Sequence, residues 1–551
     1  MAQNRSNASG RNRVSRRGFL KLVTASAMAG AAAPDLLTRF TRREPTALAA
    51  TRAADLGPLA RAGVSINPNS AGVVPKRGGV ILTGQPGDLV DFSPFQTGIA
   101  RFPWHHNIYT PLFYYDSQLN VVPALVESYT LSSDKLTLTM KLRPGVKFHN
   151  GRELTAEDVV FSFRYALNPR TGGAARSLLQ TALGALAVNK HTVEIRFKQP
   201  TAYVLDALTF MGIVAREAVG DIQSRAVGTG PFRFERWVPG EQLICVRNEQ
   251  YWEPGLPYAD GFRVRSFRDV ASLILSLEAG EVDLIRSLPF SQIERIRRNR
   301  DLMVVQPDTH LFFFNIYLNT RRPPFDNKKV RQAMAWSINR QAVVDSVLAG
   351  ASEVANTPIP KTSWAYEADL QRAYTFDLDR ARRLLTEAGH GGGLEFTVVS
   401  SPLIAELTPI AVIWQQDLAK IGVKVNIVDM PSTDYAQRIF SGDFQAMVSS
   451  SGRGHKDPGS LFRIQPAYFP GGNNVGWQSK DFETLLENGS SEFDRAKRKA
   501  IYRKVQEMLL DEAFEIIIAR SVILYAMRPA KLRDVRLETD TYWMFHRTWL
   551  P

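Results

Sequence analysis

The sequence predicts an α/β protein with more than one domain. Three observations carry that expectation: a strand–helix–strand unit between Leu394 and Val428, an alternating β pattern across residues 118–150, and a length of 551 residues, too great for one hydrophobic core. The composition, 44% hydrophobic and 22% charged without a long biased tract, is that of an ordinary folded chain.

Taken in chain order, the first feature is Ser15-Arg16-Arg17-Gly18-Phe19-Leu20-Lys21, followed by a mildly apolar stretch from Leu22 to Ala33. Paired arginines before a short Ala/Val/Leu/Gly segment resemble a twin-arginine export signal, here residues 1–49, and the apolar stretch is too short for a stable membrane span. Small residues near Ala33 and at Ala47-Leu48-Ala49 suit cleavage, and no cysteine follows to take a lipid. Residues 50–75, rich in Ala, Gly, Pro, Asn and Ser, read as a disordered lead-in.

Antiparallel β structure is expected next. Leu136, Leu138, Met140 and Leu142 alternate, and Arg143-Pro144-Gly145 and His149-Asn150-Gly151 supply turns. Thr155, with Asp158 three residues on, opens a helix carrying Val159, Val160, Phe163 and Leu167. A second β-rich stretch covers 228–268. From about 310 to 520 the texture is α/β. One helix is expected from near Asp326, carrying Val330, Met334, Ile338 and Val347 inward to a stop at Gly350. Another starts near Asp377, buries Ala381, Leu384, Leu385 and Ala388, and ends at Gly389. Strand positions Leu394, Phe396 and Val398, a helix through Leu407, Ile410, Ala411, Trp414 and Leu418, and strand positions Val423, Val425 and Ile427 complete a unit with parallel strands.

Charge and motif content exclude several classes. The formal charge is +14, but residues 1–49 hold nine Arg and Lys against Asp35 and Glu44, so half of the surplus lies there. What remains is a mildly basic surface, not a nucleic-acid stripe; Arg295, Arg297, Arg298 and Arg300 read as a solvated helix face. Cys245 is the only cysteine, which excludes an intramolecular disulfide and a cysteine-rich zinc site. HExxH, GxSxG and P-loop motifs are absent, and the eight histidines are scattered, so neither a catalytic role, a cofactor nor a metal is expected.

Several segments together resemble one family. They include Leu136 to Gly151 running on through Leu154 to Ser162, Val227-Gly-Thr-Gly-Pro-Phe232 with Trp237, and Asn248-Glu-Gln-Tyr-Trp252. Gly280-Glu-Val-Asp283, Pro324-Phe-Asp326, Ala381-Arg-Arg-Leu-Leu385, Gly422-Val-Lys-Val425, Gly442-Asp-Phe444 and Asp457-Pro458 follow in order. This series resembles the peptide/nickel family (family 5) of extracytoplasmic solute-binding proteins of ABC importers. The resemblance implies a two-lobe periplasmic-binding-protein clamshell (Venus flytrap), with an inserted β-rich domain in lobe I and a ligand enclosed by hinge closure. Lobe I is then expected from 76–98, 200–308 and 523–551, the inserted domain from 99–199, and lobe II from 309–522. Implied partners are a peptide or other small-molecule ligand and the importer's membrane subunits, for a monomer in a periplasmic or other extracytoplasmic location.

The resemblance also implies where ligand is met. In relatives that bind peptides, the loop before the Asp-Pro pair presents an aspartate to the ligand's ammonium group. Here that position falls at or near Gly454, flanked by Arg453 and His455, which favours an anionic or neutral polar ligand. In the loop from Gly471 to Trp477, Asn474 is expected to hydrogen-bond ligand and Trp477 to stack on it, or else to fill the core. On the lobe I side, Gln96 and Thr97 belong to a loop that approaches ligand, with Trp104 and His105 beyond it. Cargo remains open among peptides, oligosaccharides, anionic metabolites and metal chelates, as does a sensing or accessory role on the same fold.

Overall fold

The computed structural model describes residues 64–66, 73–89, 91–95, 104–171, 173–307, 311–402, 404–452, 456–468, 473–538 and 542–551. The paired arginines Arg16 and Arg17 lie outside them.

Two sheets organise the chain. A seven-stranded sheet runs in the spatial order Met303–Val305, Tyr525–Met527, Leu284–Arg286, Val80–Pro86, Gly261–Phe267, Gln242–Arg247 and Phe232–Val238. Its middle three strands are parallel, with Val80 beside Gly261 and Thr83 beside Leu284. A five-stranded sheet runs Val423–Asp429, Leu394–Ser400, Ala446–Ser451, Phe312–Leu318 and Glu515–Ser521. The expected strand–helix–strand unit is present: helix Leu407–Ala419 joins two parallel strands in register from Leu394/Val423 to Ser400/Asp429. Its stripe Leu407, Ile410, Ala411, Trp414 and Leu418 is buried.

A four-stranded antiparallel sheet, Val126–Leu131, Thr137–Leu142, Thr192–Phe197 and Ala182–Asn189, stands apart from both. Leu138, Met140 and Leu142 point into its core, and helix Ala156–Leu167 starts with a reciprocal cap between Thr155 and Asp158. The glycines of the Val227–Phe232 segment serve close approach. A Cβ at Gly228 would lie 2.1 Å from the Ile108 carbonyl oxygen, and one at Gly230 2.5 Å from that of Asn107.

Two expectations need correction. The helix anticipated from Asp326 to Gly350 is interrupted. Asn327 caps a helix at Lys328–Trp336, Asn339 caps a new turn at Arg340–Ala342, and the chain widens into a π turn at Val343–Val347. Asn339 accepts from the Ala342 amide, and this local bond competes with helix continuation. Within the lead-in read as disordered, Val64–Ile66 forms a strand antiparallel to Val535–Glu538. Its partner lies near the far end of the chain, so no local pattern announces it.

Candidate functional site

The registers locate a cleft. The chain passes between the two large sheets twice, from Val305 to Phe312 and from Ser521 to Tyr525. The two crossings are flanked by ladder pairs, Val305/Tyr525 on one side and Phe312/Ser521 on the other. Arg286 also pairs with Tyr525, so the carboxyl ends of the central parallel strands of the first sheet point at the crossings. Ser451 pairs with Phe313, and Val399 lies beside Met447, so the carboxyl ends of the parallel strands of the second sheet point there as well. Two α/β lobes thus turn their strand carboxyl ends, the general ligand side of such sheets, toward one gap with a two-strand hinge at its base.

The lobes touch away from the hinge. In lobe I, Tyr115 ends the strand Phe113–Tyr115 and donates its hydroxyl to Asp206, on the short helix Val204–Ala207. Burial and the adjacent Asp206 charge push the Tyr115 phenol well up, so it stays a donor. From lobe II, the Asp457 amide donates to the same Asp206 carboxylate at 3.2 Å, and Lys456 Nζ donates to the Gln118 carbonyl at 2.8 Å. Asp457 caps the helix Pro458–Ile464 through the Gly459 amide at 2.8 Å, and Arg498 grips it with two bonds of 2.9 and 2.7 Å. Burial raises the Asp457 carboxyl and Arg498 opposes that rise. Nearby the Ala202 amide meets the Ser490 carbonyl at 2.7 Å, and the Arg463 guanidinium lies over the Tyr203 ring. Close to the hinge, the Phe290 amide of lobe I donates to buried Glu406 of lobe II at 3.1 Å. The lobes are therefore closed on one another.

Of the residues anticipated for ligand contact, Gln96, Thr97, Arg453 and His455 lie outside the described residues. Trp104 is fully buried, its ring 5.1 Å from Phe92, and it precedes the short helix His105–Ile108. His105 Nε2 lies 3.1 Å from the Pro94 carbonyl, while the adjacent His106 stacks on Tyr542. Burial pushes His106 down to about 3, so this imidazole is neutral. Asn474 donates to the Ile439 carbonyl at 2.8 Å, bracing its loop against the helix Ser432–Ser441. Trp477 is half-buried and stacks on Phe514 with ring centres 4.6 Å apart. Trp104 and His105 are neighbours with ring centres 5.7 Å apart, and Asn474 and Trp477 share one loop.

The sequence reading missed Tyr115, Asp206 and Arg498. Asp457 alone carried a signal, the Asp-Pro pair, because a cap is a local feature while its arginine sits 41 positions away. Among the described residues no cluster of three or more His, Cys, Asp or Glu is placed to hold a metal ion, and no helix is long and apolar enough to cross a membrane.

Comparison with known proteins agrees with this geometry. The family model described as bacterial extracellular solute-binding proteins, family 5 Middle, matches residues 120–472. The heme-binding protein A of Haemophilus influenzae is 29% identical over 448 residues, covering 74% of this chain and 81% of that protein. The glutathione-binding protein GsiB of Pectobacterium atrosepticum is 29% identical over 457 residues, covering 80% and 88%. Among solved structures, the ABC transporter-associated periplasmic binding protein DppA of Helicobacter pylori, in complex with the peptide STSA, superposes with a TM-score of 0.79. That match has 25% identity and covers 86% of this chain and 98% of the other.

Proposed function

Because the chain belongs to the family 5 bacterial extracellular solute-binding proteins, we propose that it captures a peptide-like or other small polar solute between its lobes and delivers it to the membrane subunits of an ABC importer. The observation that carries this reading is the convergence of both sets of strand carboxyl ends on a two-strand hinge, with polar contacts from Asp206 to Asp457 joining the lobes on the far side. Ligand contacts made to both lobes add to the closed state alone, so binding and closure are one equilibrium.

The lobe boundaries belong to this proposal: 76–98, 200–308 and 523–551 for lobe I, 99–199 for the inserted domain and 309–522 for lobe II. So do the contacts. Gln96 and Thr97 present small polar groups from lobe I, with Trp104 and His105 behind them. Arg453 and His455 give lobe II a cationic loop, and Asn474 and Trp477 form its other loop. Gly454 stands where peptide-binding relatives are expected to offer an aspartate, so the loop suits an anionic or neutral group better than an ammonium. The similarity to heme-, glutathione- and peptide-binding proteins is compatible with several cargo sizes. Twin-arginine export to the periplasm and a monomeric state complete the proposal, the first resting on Arg16 and Arg17.

Native mass spectrometry of gently purified protein tests it. A stoichiometric small molecule, released on denaturation, is the expected result. An empty protein that also fails to shift in melting temperature with peptides, sugars, organic anions and metal chelates would overturn the reading.

A further inference from the structure

The floor of lobe I carries a polar pair that the family comparison does not assign. Val80–Pro86 and Leu284–Arg286 are adjacent parallel strands, with Thr83 beside Leu284 and Gly84 beside Ile285. One step further along the same register, Gln85 and Arg286 follow on the same face, because side chains alternate along a strand and neighbours in register share a side. Thr83, Gln85 and Arg286 are all buried, Gln85 at 1% and Arg286 at 0% exposure. The pair therefore sits at the carboxyl ends of the two parallel strands nearest the hinge, and Arg286 is joined by Tyr525, the first strand residue after the second crossing. Tyr525 hydrogen-bonds the guanidinium, with Tyr542 also near it.

Gln85 is the informative member. Its Nε2 and Oε1 are both buried, and neither has a hydrogen-bond partner among the described residues. A buried amide with both ends unsatisfied costs about 1–3 kcal/mol per group, so its two ends call for a partner such as a water, an ion or a ligand. The strand just before it is well served, since Thr83 Oγ1 donates to the Arg263 carbonyl at 2.8 Å. The unsatisfied amide lies at the carboxyl end of its strand, two residues beyond Thr83.

We propose that Gln85 and Arg286 form a carboxylate subsite on the floor of lobe I, so that the solute carries a carboxylate with a hydrogen-bond donor beside it. The guanidinium offers a planar fork of donors that matches a carboxylate's two oxygens, and Gln85 Nε2 adds a donor from the neighbouring strand. Gln85 Oε1 accepts from the N–H or O–H group beside that carboxylate, a pairing present in amino acids, short peptides and hydroxy acids. Removing the Arg286 cation from water lowers its pKa, and an enclosed anion offsets that desolvation. The subsite rests on the solute-binding reading and narrows it to one chemical class.

The test compares full-length wild type with Gln85→Leu, which keeps the side-chain bulk and removes both polar atoms. Glutathione, N-acetylglycine and lactate are each titrated against their carboxamide or ester by thermal shift and calorimetry. The carboxylates should bind at least tenfold more tightly than their neutral counterparts to wild type, and Gln85→Leu should bind those same carboxylates at least tenfold more weakly than wild type does. The unliganded variant should melt at the same temperature as wild type or higher, because an unsatisfied amide has been removed; a purely structural glutamine would give a lower value. No carboxylate preference in wild type, or a carboxylate affinity unchanged in the variant, overturns the proposal. Native mass spectrometry separates the two levels: a released solute without a carboxylate ends the subsite and leaves solute binding standing, whereas carboxylate binding with no lobe closure in small-angle scattering would end the transport reading instead.

Discussion

The backbone amide of Asp457 donates to the carboxylate of Asp206 at 3.2 Å across 251 positions of sequence, joining lobe II to lobe I at the side of the cleft opposite the hinge. Tyr115 holds the same carboxylate from within lobe I. Because this bond to an ion exists only when the lobes meet, it biases closure. Asp206→Ala should weaken solute binding by about ten- to a hundredfold, the equivalent of about 1.5–3 kcal/mol for a hydrogen bond to a charged group. Calorimetry gives the affinity, and small-angle scattering of the variant should show a more open average form with solute at wild-type saturating concentration. Unchanged affinity and compaction would exclude a role in closure.

Asp457 itself should matter to folding. Its carboxylate caps a helix and receives both arms of Arg498, with side-chain exposures of 13% and 8%. Asp457→Ala leaves the guanidinium buried without its partner, and about 3–5 kcal/mol of stability should be lost. Urea unfolding measures it, and a loss below about 1 kcal/mol would mean that water replaces the carboxylate there.

Gly228 tests the close approach of two segments. A methyl group there meets the Ile108 carbonyl oxygen at 2.1 Å, whereas one at Gly220 meets nothing within 4 Å. Gly228→Ala should cost about 3 kcal/mol or more, and Gly220→Ala should lie within about 0.5 kcal/mol of wild type. Equal melting temperatures for the two variants would contradict the packing described.

Glu515 should give the stability curve a distinctive limb. It is half-buried beside Asn315, whose Nδ2 donates to Oε1 at 2.7 Å, and Tyr468, and desolvation of its carboxyl pushes it up from 4.5 to about 7. The folded state then binds more protons than the unfolded one between those values. This contribution is fully present below pH 4.5 and is lost as pH rises through about 7, by about 3 kcal/mol at most. His106, pushed down to about 3, and His149, pushed down to about 4, act in the opposite sense, since each must charge on acid unfolding. The difference between wild type and Glu515→Gln isolates the carboxyl: wild type should lose ground to the variant from pH 4.5 to 7.5. Parallel urea midpoints across that range would refute the shift.

Trp477 should behave as a packing residue whatever else it touches. Its ring stacks on Phe514 and meets Phe482 edge-on with centroids 5.0 Å apart. Trp477→Ala should lower the unfolding free energy by about 2–3 kcal/mol, below the full cost for a completely buried tryptophan. A melting temperature within error of wild type would show that the stack contributes nothing.

By itself the sequence determined the elements and much of their order. Alternation at Leu394–Val398 and Val423–Ile427, the helix stripe through Trp414, and the caps at Thr155, Asp377 and Asp457 are set by residues within a turn or two of each other, where sterics and local hydrogen bonds act without help from the fold. Tertiary structure alone decided the rest. It paired Val64–Ile66 with Val535–Glu538, laid Val80–Pro86 beside Leu284–Arg286, and brought Asp206 to Asp457. Each of these depends on partners far apart in the chain, brought together only once both sheets and their crossings are assembled, and periodicity carries no record of such distances.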